Sequence, residues 1–314
     1  MADDSARPIA VTGATGFLGQ HIQRHLLDAG YPVRCLTRSG SANLRPGVQQ
    51  QTTDLGSVPS LQSALSDVAA VIYLAGSVRG RKYEDFLPAN VDGVANTAHV
   101  LAERSPATPL LLMSSLAATA AELSHYARSK AAGEQALRNS GHQHWTIFRP
   151  PAVYGEGDRE MRSTFKAIQL GLVPMTGPAQ QRIPFIEATD LAAAVIAWLR
   201  DPQACNQQTY AIDDGSPDGY DWADIAKLVA PTRHLSIPVP YPLLRTLGSV
   251  NLALSKAVGY APMLTPGKAR ELSHVGWSCS NEAFTEATGW QPQVGLGAGV
   301  QRLFADARAG NAAH

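Results

Sequence analysis

The stretch TGATGFLG occupies residues 12–19 and places glycines at 13, 16 and 19. It ends PIAVTG, residues 8–13, a short apolar run that reads as a buried strand. It opens FLGQHIQRHLLDAG, where apolar residues recur at helical spacing until Gly30 offers a C-terminal stop. A glycine turn between a strand and a helix predicts a nucleotide-binding turn. Gly13 permits the tight bend. Gly16 lets a pyrophosphate approach backbone N–H groups at the positive helix end, and Gly19 lets helix and sheet pack closely. Thr15, Phe17 and Leu18 lie within the same turn and are expected beside the ligand.

Working outward, strand and helix patterns alternate. YPVRCLTR is a second strand and VQQQTTD a weak third, followed by a helix over SVPSLQSALSD. AAVIYLAG, residues 69–76, is a fourth strand; a helix over residues 90–104 leads to PLLLMSS, a fifth. The alanine-rich SHYARSKAAGEQAL, residues 124–137, is the next helix, and HWTIFRP, residues 144–150, the sixth strand. Strict alternation with near-continuous apolar strands predicts an α/β fold: a doubly wound parallel sheet with helices on both faces. After Pro150 the pattern loosens. IPFIEATDLAAAVIAWLRD and QTYAIDD are read as returning a strand, a helix and another strand to the main sheet. The expected division is a dinucleotide-binding part, residues 1–154 with 183–213 returning to it, and a smaller mixed substrate lobe, residues 155–182 and 214–314. The apolar, Pro-punctuated residues 237–260 read as a core helix of that lobe, ahead of an apolar substrate wall or a membrane-facing helix.

The 314 residues are 45% hydrophobic and 17% charged, a composition that favours a packed core over disorder. Lys+Arg and Asp+Glu are 26 each, so net charge gives no sign of a nucleic-acid or membrane partner. Cys35, Cys205 and Cys279 are scattered, odd in number and without metal spacing; a reducing cytoplasm is the expected location, and no metal is expected. MADDSARPIAV is acidic and runs straight into a strand pattern, unlike a secretion signal. His142 and His144 alternate entering a strand, with no third ligand suggested.

The second strand ends at Thr37, Arg38 and Ser39, where an acidic residue would accept hydrogen bonds from the adenine ribose of NAD. Arg38 suits a 2′-phosphate, so NADP is the expected cofactor with NAD possible, and Arg34 could assist. Asp54 and Leu55, after the third strand, are candidates to contact the adenine. Leu74, Ala75 and Gly76 end the fourth strand at the carboxyl edge, where ligands of open α/β sheets bind. Tyr126 and Lys130 are four residues apart and share a helix face. A cation about 4 Å from a phenol, at an effective dielectric of about 20, is worth up to about 4 kcal/mol, enough to bring Tyr126 towards neutral pH.

TGATGFLG, LAG, MSS, YARSK and RPPAVYGEGD, in this order, resemble the extended short-chain dehydrogenase/reductase superfamily in its NAD-dependent epimerase/dehydratase branch. Each motif alone is weak, but nine tyrosines and six lysines give a chance Tyr-x-x-x-Lys only about 0.2 times. The resemblance implies Tyr126 as general acid/base, Lys130 as its partner and a holder of the nicotinamide ribose, and Ser115 as the substrate-binding serine, with Ser114 the fallback. It implies Pro150 to Val153 against the nicotinamide, and Asn90 supporting the lysine or a water. It suggests a homodimer through the helices flanking Asn90 and Tyr126. Ser115 and Tyr126 are only eleven positions apart, a shorter connection than is common in the family. Arg182 falls one place from where nucleotide-sugar relatives carry a diphosphate-binding arginine, and Ile183 occupies that place; a one-residue slip reverses the sheet face.

Three readings stand. The first is an NAD(P)-dependent oxidoreductase that moves hydride between nicotinamide and a hydroxyl or ketone of a small, fairly apolar substrate. The second is a nucleotide-sugar epimerase or dehydratase that recycles its cofactor. The third is a non-catalytic dinucleotide sensor or assembly factor.

Overall fold

The computed structural model describes residues 7–40 and 44–310, so the acidic opening residues 1–6 lie outside the described residues. The chain runs β1 (Ile9–Thr12), α1 (Phe17–Asp28), β2 (Val33–Thr37), β3 (Gln49–Thr52), α2 (Val58–Ala64), β4 (Ala70–Tyr73), α3 (Gly93–Arg104), β5 (Leu110–Met113), α4 (His125–Arg138) and β6 (Trp145–Arg149). It continues β7 (Ala152–Tyr154), α5 (Glu160–Gln169), β8 (Leu172–Met175), β9 (Phe185–Glu187), α6 (Ala188–Arg200), β10 (Gln208–Ala211) and α7 (Trp222–Val229). β11 (Leu235–Pro238), α8 (Tyr241–Val258), α9 (Pro266–Leu272), α10 (Glu282–Thr288) and α11 (Leu296–Gly310) complete it.

Seven strands form a parallel sheet in the order β10-β6-β5-β4-β1-β2-β3. The order reverses between β1 and β4, and a crevice opens there beyond the strands' carboxyl ends. Alternation along β1 explains the layering. Ile9 and Val11 face a core shared with α1 and α6 (Ile22, Leu26, Val195, Trp198), while Ala10 faces the opposite core under α2, α3 and α4 (Leu61, Leu101, Leu137). β3, with the sequence QQQT, is a mostly exposed edge strand, which is why its pattern is weak. α1 ends where Gly30 takes φ +81°.

Two expectations need correction. β9 does not join the main sheet; it pairs in parallel with β7 in a separate two-stranded ribbon, whereas α6 and β10 do return. β7 and β9 pack with α5, α7 and α11 around Phe165, Phe185, Trp222 and Val300, a second core that competes for the strand. α8 is not a core helix. Of its side, only Leu244, Gly248 and Ser255 are buried, and large apolar residues on the rest of it are exposed. Periodicity reports a helix and its faces, but not what covers them.

Candidate active site

The glycine turn is held by close approach. Gly13 has φ +65°, and a Cβ there would fall 2.8 Å from Ala75 N and Leu74 C. A Cβ on Gly19 would fall 2.4 Å from the carbonyl oxygens of Gly13 and Ala14. Thr12 Oγ1 accepts from the backbone N–H groups of Leu74 and Ala75 at 3.1 and 3.0 Å, binding the end of β1 to the end of β4. Gly16 caps α1 without a side-chain hydrogen bond, and the first turn carries no acidic residue. The N–H groups at that helix end therefore have neither a side-chain partner nor a repelling charge, which fits a pyrophosphate.

A cavity of about 1880 Å³ begins at this turn, with Gly13, Thr15, Gly16, Phe17, Leu18 and Gly19 in its wall. Leu74, Gly76, Ser115, Tyr126, Pro150 and Val153 also line it, as do residues of α9 and Trp277. Most of the expected dinucleotide and catalytic residues are thus gathered in one space. Ala75, Asn90 and Lys130 sit behind the wall, and Arg38, Asp54 and Leu55 lie outside it at the ends of β2 and β3. Asp54 Oδ1 accepts from Gly56 N at 2.9 Å, which shapes the turn. Arg34 donates to the carbonyls of Ala64 and Ser66 at 3.1 and 2.7 Å, so its guanidinium is committed to the α2 side of the sheet and does not assist Arg38.

Asn90 is almost fully buried in a π-helical turn, Pro88–Asp92. Its Oδ1 accepts from Ser77 N at 2.8 Å, and its Nδ2 donates to Ser77 O at 3.0 Å and Ser129 Oγ at 2.8 Å. These bonds clamp the segment after β4 to α4, and none of them goes to Lys130. The contact is tight: a Cβ on Gly133 would fall 2.0 Å from Asn90 O, so α4 can approach the turn only with glycine there.

Ser115 and Ser114 have separate fates. Ser114 Oγ donates to Glu134 Oε1 at 2.6 Å. Glu134 also takes two bonds from Arg149, at 2.8 and 2.6 Å, and one from Arg138 at 3.2 Å. Burial pushes the Glu134 carboxyl up, but these donors outweigh it and hold it below its ordinary value. Ser115 caps a 3₁₀ turn, Leu116–Ala120, through its Oγ and Ala117 N, and its hydroxyl also bonds to Tyr126. The serine facing the tyrosine is therefore Ser115.

Burial raises the Tyr126 pKa; the Ser115 hydrogen bond and the Lys268 charge pull it down, Glu271 pushes it up, and the net shift is upward. Lys130, expected to lower it, is not among the groups that shift it here. Lys130 Nζ is buried and donates to Met113 O at 2.7 Å. Desolvation depresses its pKa to about 8, against a smaller opposing effect of Glu134.

The cation that acts on Tyr126 comes from α9, which the sequence reading missed. Lys268 lines the cavity, keeps 33% of its side-chain surface exposed, and bonds Glu271 Oε2 at 2.8 Å. Burial depresses its ammonium, but Glu271 outweighs this and the pKa is raised. Ser124 Oγ also donates to Glu271, and Arg270 Nε donates to Leu123 O at 2.7 Å, so α9 is tied to the start of α4. TPGKARE carries a readable helix start, Thr265 capping Lys268 N with Pro266 following, but its contact with Tyr126 is purely tertiary.

Other candidates are placed elsewhere. Arg182 Nη1 bonds Asp224 Oδ2 at 3.2 Å and is not in the cavity wall, whereas Ile183 is. His142 Nε2 bonds Thr108 O at 3.0 Å. His125 is exposed at the cavity rim.

Residues 9–212 match the NAD dependent epimerase/dehydratase family. The chain is 34% identical over 293 residues to a ceramide reductase of Caulobacter vibrioides, covering 91% of this chain and 90% of that protein. It is 26% identical over 349 residues to a 2-alkyl-3-oxoalkanoate reductase of Stenotrophomonas maltophilia, covering 96% and 99%. The crystal structure of UDP-N-acetylglucosamine 4-epimerase from Bacillus cereus shares the fold, with a TM-score of 0.67 at 19% identity and coverage of 96% and 97%.

Proposed function

The chain belongs to the NAD dependent epimerase/dehydratase family, and within it we propose a nicotinamide-dependent reductase of a carbonyl group on an apolar, lipid-like molecule. The observation that carries this reading is the Ser115–Tyr126 hydrogen bond in the wall of the same cavity that the glycine turn lines. Leu252, Met263, Leu264 and Trp277 also line the cavity, whose volume exceeds what a drug-sized ligand needs. The names of the ceramide reductase and the 2-alkyl-3-oxoalkanoate reductase support the same class.

The glycine turn would hold the pyrophosphate, and Pro150 to Val153 would lie against the nicotinamide, which supplies the hydride. Ser115 donates a hydrogen bond to the substrate oxygen, where negative charge develops. Tyr126 gives that oxygen its proton. It is protonated at neutral pH; burial makes it a weaker acid, and the Ser115 hydrogen bond and the Lys268 charge work against that shift. Lys130, fixed on Met113 O, holds the ribose and contributes positive charge below about pH 8. Lys268, in the cavity wall, adds its positive charge near the tyrosine. Arg38, exposed and free of ion pairs among the described residues, selects NADP by its 2′-phosphate. Residues 1–151 with α6 and β10 form the cofactor part, and the ribbon of β7 and β9 joins residues 155–182 and 214–314 in the substrate lobe. The buried free thiols of Cys35 and Cys205 suit a cytoplasmic protein.

The test is a panel of ketones and aldehydes of increasing chain length. Net NADPH oxidation, rising with chain length, with deuterium passing from nicotinamide C4 to product, is expected. Turnover of a nucleotide sugar without net cofactor oxidation would replace this reading with an epimerase or dehydratase. Tight NADPH binding with no turnover on either panel would favour the non-catalytic role.

A further inference from the structure

We propose that α8 is a docking surface for an anionic lipid bilayer. Leu243, Leu247, Val250, Leu254 and Val258 fall within an arc of about 80° at 100° per residue. All five are exposed; Leu247 retains 48%, Leu254 53% and Val258 75% of its surface. A stripe of five large apolar side chains along eighteen residues is more than the scattered exposed leucines of an ordinary surface. The buried Leu244, Gly248 and Ser255 hold the helix to the protein by another side. A Cβ on Gly248 would fall 2.7 Å from Thr265 C, so α8 lies tight against the approach to α9.

Charge identifies the occupant. From Ile225 to Arg270 the sequence has no acidic residue and six lysines or arginines, in a chain whose Lys+Arg and Asp+Glu counts are equal. Lys227, Arg233, Arg245 and Lys256 are exposed, and none has an ion-pair partner among the described residues. Two of them, Arg245 and Lys256, stand on α8 itself, away from the apolar stripe. An apolar stripe on a cationic segment fits a helix lying in the interface of a negatively charged membrane. No helix among the described residues is long and apolar enough to cross a membrane, so the contact is peripheral. The neutral overall balance, which gave no sign of a membrane partner, conceals this local excess.

The docking proposal stands apart from the reductase reading, because its test reads lipid binding without turnover. The full chain is floated with vesicles of phosphatidylcholine alone and of phosphatidylcholine with an equal part of phosphatidylglycerol. Binding to the anionic vesicles only, weakened by added salt, is expected. The double variant Leu247→Ser, Leu254→Ser should bind about tenfold or more weakly, with its thermal stabilisation by NADPH unchanged. Arg245→Ala with Lys256→Ala should reduce the salt-sensitive part. Absence of wild-type binding to anionic vesicles, or equal binding by the leucine variant, would overturn the proposal. Self-association of the wild type, lost in the leucine variant and without vesicle binding, would assign the stripe to a second copy and overturn it as well.

Discussion

Lys130 Nζ donates to the carbonyl oxygen of Met113 at 2.7 Å, joining the middle of α4 to the end of β5. The helix thereby fixes the ammonium on the sheet's carboxyl edge, one helical turn from Tyr126. Desolvation sets its pKa at about 8, below the ordinary lysine value. Its charge is therefore present below about pH 8 and lost above it. The rate of carbonyl reduction should fall as pH rises through this value, and Lys130→Arg should move the falling limb to higher pH. A pH profile of kcat/KM for both proteins checks this; an unmoved limb would assign it to another group.

Ser115→Ala should lower kcat by about a hundredfold to a thousandfold, the usual cost of one donor to a developing oxyanion. Ser114→Ala should act differently. It removes a hydrogen bond to the buried Glu134 carboxylate, so it should cost about 1.5–3 kcal/mol of stability. Denaturant titration beside kinetics separates the two; a Ser114 variant with the larger catalytic loss would exchange their roles.

Gly13→Ala puts a Cβ 2.8 Å from the backbone of Leu74 and Ala75, at a φ of +65°. The left-handed conformation alone costs about 1–2 kcal/mol, and the contact adds to it. Thermal unfolding should show the loss, and titration should show weakened binding of NADPH and NADH alike, since both share the pyrophosphate.

Arg38→Ala should weaken NADPH by about tenfold to a hundredfold and leave NADH nearly unchanged, as expected for one charge-assisted bond. Isothermal titration of both cofactors with both proteins decides it. Equal wild-type affinities would remove Arg38 from the site.

The sheet was legible because each strand is short, apolar and followed by a helical period, and because Gly13, Gly16 and Gly19 mark where β1 becomes α1. Tyr126 and Ser115 were legible through spacing and position. What stayed hidden depends on contacts between distant segments. Lys268 reaches Tyr126 only because α9 is bound to α4 through Ser124 and Glu271. The hydrogen bonds of Asn90 to Ser77 and Ser129, made from a π-helical turn, likewise have no mark in the sequence. β9 was assigned to the main sheet because a three-residue strand carries no record of its neighbour.

The central claim is that Tyr126 gives its proton to a substrate oxygen while the glycine turn holds the cofactor, and one variant tests it most directly. Turnover of Tyr126→Phe should be measured on whichever apolar carbonyl compound the wild type reduces, together with NADPH affinity by titration. The account predicts a loss of kcat of about a hundredfold or more, with affinity within a few fold of the wild type, because the hydroxyl acts in the transition state and touches no part of the pyrophosphate. A Tyr126→Phe protein that reduces its substrate at the wild-type rate would contradict it.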